Sequence, residues 1–244
     1  MKKLALIIMA ACFVLAACKK DDKNSNGGNG NPDNPDPGTT SGLVSQIINY
    51  EETVNDYKYD SQNRLISITQ DNEPYATFTY VSANKIEARL GDDNFILTLN
   101  SDGYITNLQS DYGYSVVYEY ENGYLKKETD ETGVTSIYFW ENGNLIKEQT
   151  TFPGIGTNTY TYSYGTAPYK ETNIAIWAPP MSEFFFDIPV TFFGKRSKNL
   201  ATSMVGRNES EYYRYVTNAE GYVTKVYLKE GDSAEKLWLE VKYK

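Results

Sequence analysis

The sequence contains no histidine, and its two cysteines, Cys12 and Cys18, both lie near the N-terminus. Imidazole bases, cysteine nucleophiles, zinc centres built on His and Cys, and internal disulfides are therefore excluded from the rest of the chain. Basic charge is short as well. The 23 Lys and Arg face 32 Asp and Glu, a formal net charge of −9. Nucleic acid binding needs a basic face, so no nucleic-acid partner is expected. No Gly-x-Ser-x-Gly elbow, P-loop or Ser-x-x-Lys stands in a convincing context. What the chain has in excess is tyrosine, 22 residues of 244, joined by 10 Phe and 3 Trp. Aromatic-rich sequences with few helix formers lean toward β-sheet.

The N-terminus is an address. Met1-Lys2-Lys3 is basic, and Leu4 to Leu15 is apolar but too short to cross a bilayer as a helix. Leu15-Ala16-Ala17-Cys18 resembles a bacterial lipobox. The resemblance implies that residues 1–17 are a lipoprotein signal peptide and that Cys18 becomes the acylated first residue, carrying palmitate-type chains. Lys19-Lys20-Asp21-Asp22 is similar to the signal that sends some diderm lipoproteins to the cell surface. Residues 23–42, rich in Asn, Gly, Asp and Pro, cannot pack in a core. With Cys18 they read as a disordered tether over 18–42. The expected partner at this end is the membrane, through the lipid anchor. The expected location is the outer membrane, facing the exterior.

Residues 43–244 read as a single domain of repeated hairpins. An aromatic, any residue, an aromatic, a turn and an aliphatic recur at Tyr57–Leu65, Phe78–Ile86, Leu97–Ile105, Tyr118–Leu125 and Tyr138–Leu145. Positions 57, 78, 97, 118 and 138 step by about 20 residues each. Asn122-Gly123 and Asn142-Gly143 are two-residue hairpin loops, while Asn63, Asn84, Gly103 and Gly221 end loops of three and are expected to be left-handed. Counting across the loops sets Tyr59 opposite Leu65, Tyr80 opposite Ile86, Leu99 opposite Ile105, Tyr120 opposite Leu125, and Trp140 opposite Leu145, all on one face. The other face is mixed, with Lys58, Thr79, Thr98, Glu119 and Arg214 beside Ile66, Ile68, Phe139 and Val226. The fold expected is all-β, an antiparallel meander in a strongly curved or barrel-like sheet of roughly 14 to 17 strands, with little helix. Lys58, Glu119 and Arg214 on the outer face argue against a barrel that spans lipid.

Tyr57-Lys-Tyr59-Asp60-Ser-Gln-Asn63-Arg64-Leu65 is similar to the tyrosine–aspartate repeat of Rhs and teneurin β-shells, with Asn63 where that motif carries Gly. The chain is too short to enclose a cargo domain, so toxin delivery is not implied. The lipobox, Asn100 to Ile105, Phe193 to Leu200 and Glu220 to Lys225 together resemble an uncharacterised family of diderm surface lipoproteins with a porin-like β fold. That resemblance implies a fold and a compartment, with no activity or site residues.

An irregular insertion at about 171–206 breaks the repeat, and its prolines forbid a continuous central strand. Trp177, Phe184, Phe185 and Phe192 are its candidate binding residues if it forms an exposed lip. The alternative is a plug over one end of the aromatic core. Lys195, Arg196 and Lys198 form a basic cluster that reads as surface before it reads as an anion site. Asp92-Asp93-Asn94 and Asp130-Glu131 lack the spacing of a calcium loop and read as solvated turns. No metal, cofactor or catalytic residue is expected. The function expected is a non-catalytic surface lipoprotein that binds a glycan, peptide or protein. The alternatives are a structural or envelope-assembly component and, less favoured, a carboxylate-dependent glycan-cleaving enzyme.

Overall fold

The computed structural model describes residues 42–174, 188–207 and 209–244. The expectations on residues 1–41 lie outside that range. Sixteen strands follow in chain order: β1 (Val44–Asn49), β2 (Val54–Tyr59), β3 (Leu65–Gln70), β4 (Glu73–Ser82), β5 (Lys85–Leu90), β6 (Asp93–Leu99), β7 (Ile105–Ser110), β8 (Ser115–Glu121), β9 (Tyr124–Asp130), β10 (Thr135–Glu141), β11 (Asn144–Phe152), β12 (Gly156–Pro168), β13 (Asn199–Val205), β14 (Ser210–Thr217), β15 (Val223–Glu230) and β16 (Lys236–Tyr243). Each pairs with its neighbour in sequence, and β1 pairs with β16, so the antiparallel meander closes into a barrel. The helical content among the described residues is one 3₁₀ turn, Val190–Phe193.

Turn chemistry sets the register. Tyr59 faces Leu65, Tyr80 Ile86, Leu99 Ile105, Tyr120 Leu125, and Trp140 Leu145, as the counting requires. Asn122 and Gly123 take φ of 55° and 82°, the double left-handed conformation of a two-residue hairpin loop. Asn142 and Gly143 repeat it, and Asn63, Gly103 and Gly221 are left-handed too. Asn84 is not. Ser82 pairs with Lys85, so that loop has two residues, and a bulge at Val81 absorbs the third.

Bulges also overturn part of the expected outer face. In five hairpins the return strand carries an extra residue just past its first or second pair: Ile66, Thr106, Lys126, Ile146 and Thr224. Inward parity then resumes one residue late. Ile68 and Val226, expected outside, are therefore core residues at 1% and 0% exposure, while Ile66 stays outside at 37%. The extra twist at each bulge helps the sheet curl to closure.

Neighbouring hairpins splay at their tips. Pairing stops at Gln46/Asp56 between β1 and β2, at Ser67/Thr77 between β3 and β4, and at Asn107/Val117 between β7 and β8. It stops likewise at Lys127/Ile137, Lys147/Thr161, Ser203/Tyr212 and Lys225/Glu240. Past each of these points a carbonyl has no ladder partner, and an aromatic of the next strand supplies one. Tyr59 donates its hydroxyl to the Val44 carbonyl at 2.6 Å, Tyr80 to Leu65 at 3.1 Å, and Tyr120 to Ile105 at 2.8 Å. Trp140 Nε1 donates to Leu125 at 2.8 Å. Tyr164, Tyr215 and Tyr243 donate to Leu145, Ala201 and Val223, each at 2.7 Å. Each such ring packs in the core while its polar tip staples two hairpins. The position that carries Leu99 instead explains itself. Between β5 and β6 the ladder runs on to Lys85/Thr98, and the Leu99 amide donates to the Asn84 carbonyl at 2.9 Å, so no carbonyl there waits for a hydroxyl.

The interior is apolar over most of its circumference. The outer wall carries cross-strand ion pairs such as Glu119–Lys127 at 3.0 Å and Lys225–Glu240 at 3.2 Å. Lipid-spanning barrels carry an apolar band on that face. Between β12 and β13 the described residues Phe192, Lys195 and Lys198 lie against the hairpin tips at Tyr120, Gly123 and Gly143. The irregular stretch is shorter than the expected 171–206, because β13 begins at Asn199. Ile174, Ile188, Val190 and Phe193 are buried to 1% exposure or less. The amides of Lys195 and Lys198 donate to the carbonyls of Gly123 and Gly143 at 2.7 and 2.8 Å, so two hairpin loops hold the insertion down. Asn173 ties its start to the barrel seam, donating to the Tyr59 hydroxyl and accepting from the Val44 amide.

Candidate functional site

Where β9 and β10 part beyond Lys127/Ile137, a cleft of about 630 Å³ opens between two hairpin tips. Twin turns of one sequence form its rims, Glu121-Asn122-Gly123 and Glu141-Asn142-Gly143. Its floor is Trp140, held in place by the bond from Nε1 to Leu125. The Tyr124 ring lies against Trp140, centroids 4.6 Å apart and planes tilted by 38°. Phe139 adds a third half-buried ring, and Ile137 and Ile146 stand 40% and 38% exposed. Glu121 pairs with Lys126 at 2.9 Å. Lys195 sits 5.4 Å from the Tyr124 ring centre and donates to the Asn122 carbonyl at 2.9 Å. The side chains of Asn122, Glu141 and Asn142 make no polar bond among the described residues. The site thus combines a stacked Tyr124–Trp140 pair, with Lys195 and Lys147 over the Tyr124 and Phe139 rings, and amide and carboxylate groups that have no polar partner among the described residues. A second cleft, about 720 Å³ on the wall of β4 to β7, has Thr77, Thr79, Glu87 and Gln109 in its lining. Its one aromatic, Phe95, is buried at 3% exposure.

A second polar feature lies inside, from β8 to β14. Tyr118 faces Glu128, and Tyr138 faces Glu148. Glu148 Oε2 accepts from the Tyr162 hydroxyl at 2.9 Å, and Glu211 accepts from Tyr213 at 2.6 Å. Burial pushes the Glu148 and Glu211 carboxyls above their ordinary range, against the smaller opposing effect of those hydroxyl donors. Burial also raises Tyr138 and Tyr162, with Glu128 and Glu148 adding to it. Arg196 reaches into the core from the insertion, and burial lowers it to about 10. The arrangement holds carboxyl groups in a low-dielectric wall by hydrogen bonds from tyrosine.

Of the residues singled out from sequence, Cys18, Trp177, Phe184 and Phe185 lie outside the described residues. Phe192 is half-buried against the core, and its carbonyl accepts from Tyr120 at 3.4 Å. The basic cluster is divided: Arg196 is buried at 8% exposure, while Lys195 and Lys198 are exposed. Asp130 caps its own turn, accepting from the Thr132 and Val134 amides at 2.9 Å. Among the described residues no group of three His, Cys, Asp or Glu side chains could hold a metal. The Tyr124–Trp140 cleft and the inward glutamates were not picked out from sequence. The doubled Glu-Asn-Gly turn was the available signal for the first, and Glu148 opposite Tyr138 for the second.

No protein-family model matches the chain, and no curated protein matches it. Solved structures do. A porin-like protein from Bacteroides uniformis ATCC 8492 superposes with a TM-score of 0.61 at 17% identity, over 84% of this chain and 98% of that one. A porin-like protein from Bacteroides vulgatus ATCC 8482 gives 0.60 at 11% identity, over 83% and 99%. At these identities the likeness is one of fold.

Proposed function

We propose that the protein is a lipid-anchored, non-catalytic binding protein, held off an outer membrane by the 18–42 tether and working through the outside of its barrel. The wall chemistry carries this reading. Cross-strand ion pairs lie on the outer wall and the large apolar core lies inside, as a water-exposed domain requires. Such a domain needs a separate anchor to reside at a membrane, and the Leu15-Ala16-Ala17-Cys18 signal would supply one. A cleft with three half-buried aromatics supports binding over chemistry. A second reading, an envelope-assembly component without a small ligand, is favoured by the insertion that caps the core.

Replacing the cysteine tests the anchor. Cys18→Ser is expected to abolish acyl labelling and to move the protein out of the membrane fraction. Normal labelling and fractionation of that variant would overturn it. Protease shaving of intact cells reports the orientation: cleavage in the tether supports an exterior location, and full protection places the domain in the periplasm.

A further inference from the structure

We infer that the inside of the barrel, along the wall from β9 to β15, binds a linear polyamine; this site is separate from the outer cleft and goes beyond the reading above. The strand register turns five carboxyls of that wall inward: Glu128, Asp130, Glu148, Glu211 and Glu230. Asp130, Glu211 and Glu230 stand at the strand ends opposite the insertion, and Glu128 and Glu148 lie deeper.

The interior leaves room beside them. On β5 to β7 the inward side chains of Ala88, Leu97 and Leu108 are sealed in the core. Glu128, Glu148, Thr150 and Glu211 are partly exposed although their strands turn them inward, so a space wide enough for water borders them. Tyr138 stands in the same wall at 4% exposure, and its hydroxyl has no partner in hydrogen-bond geometry. The Glu128 and Glu148 carboxyls act on that hydroxyl from nearby. Buried hydroxyls are ordinarily bonded, so this one marks a place for a ligand group. An ammonium group there would donate to the phenol oxygen and to the carboxylates beside it.

Charge selects the class. Two cations face this interior. Lys236 pairs with Glu230 at 3.0 Å and also acts on Glu211. Arg196 enters from the insertion among Tyr120, Tyr138, Tyr164 and Tyr169. Asp130 is engaged by its own turn. Glu148 and Glu211 accept from the hydroxyls of Tyr162, Thr150 and Tyr213 rather than from a cation. Five carboxyls against two cations leave the wall negative.

Spacing selects the shape. Glu128 and Glu148 are two strands apart, about 10 Å along the sheet, and Glu148 and Glu211 are three apart, about 14 Å. A metal ion gathers its oxygens within about 2.0–2.6 Å, and among the described residues no such group of three exists. Ammonium groups joined by methylenes match the spread. Tyr118, Tyr138, Tyr162 and Tyr213 stand beside the carboxyls, and their rings suit both the methylenes and the charge.

The test uses the full chain at pH 8 and physiological ionic strength, in a non-ionic detergent, because quaternary-ammonium headgroups would compete. Butylamine, putrescine, spermidine, spermine and magnesium chloride are titrated by calorimetry. Saturable binding of spermidine or spermine is expected, at least tenfold tighter than butylamine or magnesium. Glu148→Gln should weaken it at least tenfold, and Tyr138→Phe at least threefold, with neither melting below wild type. Glu119→Gln removes the same charge from the outer wall and should leave the affinity unchanged. Absence of saturable binding at millimolar concentration would overturn the proposal. So would magnesium binding as tightly as spermine, or an equal loss in Glu119→Gln, since either would mean general attraction to an acidic surface.

Discussion

A single phenolic oxygen decides whether a hairpin tip is closed in this barrel. Tyr215 satisfies the Ala201 carbonyl where the β13–β14 ladder has already ended. Tyr215→Phe keeps the ring and leaves that acceptor without its donor, which should cost about 1–3 kcal/mol in urea denaturation. The reverse change, Leu99→Tyr, should bring no gain, because the β5–β6 ladder has no carbonyl to offer, and overpacking should cost about 1–3 kcal/mol. Glu148 works in the opposite sense. Burial raises its pKa above the ordinary 4.5 in the folded state, so its contribution is best when protonated. That contribution is complete below pH 4.5 and is lost as pH climbs through the raised value. Wild-type melting temperature should therefore fall as pH rises above 4.5. Glu148→Gln should flatten the decline and melt higher than wild type at pH 8. An unchanged slope would mean that the carboxyl is solvated in the folded protein.

At the scale of elements, the hairpins were legible and their junctions were not. Asn-Gly pairs and left-handed Gly or Asn positions encode loop length locally, and loop length fixes which aromatic meets which aliphatic. A bulge leaves no such mark. Ile66 and Ile68 are the same residue type two positions apart, and nothing in that pair says that one faces water and the other the core. The Tyr124–Trp140 cleft was hidden for a related reason: it exists because pairing stops at Lys127/Ile137, a matter of how two hairpins meet. The insertion's seat depends on one residue that sequence did not single out. Gly194 has φ of 81°, and a Cβ there would stand 2.6 Å from the Gly123 carbonyl oxygen. Gly194→Ala should therefore cost about 1–3 kcal/mol through backbone strain and lift the insertion from the hairpin loops. Thermal unfolding measures the first effect, and faster cleavage within 170–198 by a protease below the melting temperature measures the second. A variant that melts and digests like wild type would show that the insertion is not seated on that loop.

For the whole molecule, closure is the property that repeat counting left open. A sheet of hairpins could have ended with two free edges, and only the β1–β16 pairing removes them. The Lys244 amide donates to the Leu43 carbonyl at 2.9 Å, so the first and last strands finish side by side. It follows that the order in which the strands are synthesised is a convention and not a requirement. A short linker from Lys244 to Gly42, with the chain reopened between Gly154 and Ile155, should give the same barrel from a rotated reading frame. Ile155 is 87% exposed at a turn, so the cut removes little packing. In that permutant the present first and last strands become a hairpin, and the β11–β12 seam becomes the one that must find its partner across the whole chain. Far-UV circular dichroism should match the parent, with a melting temperature within a few degrees. The unfolding rate is expected to respond more to mutations at β11–β12 than it does in the natural order, since the seam that closes a ring last is the one whose loss opens it first.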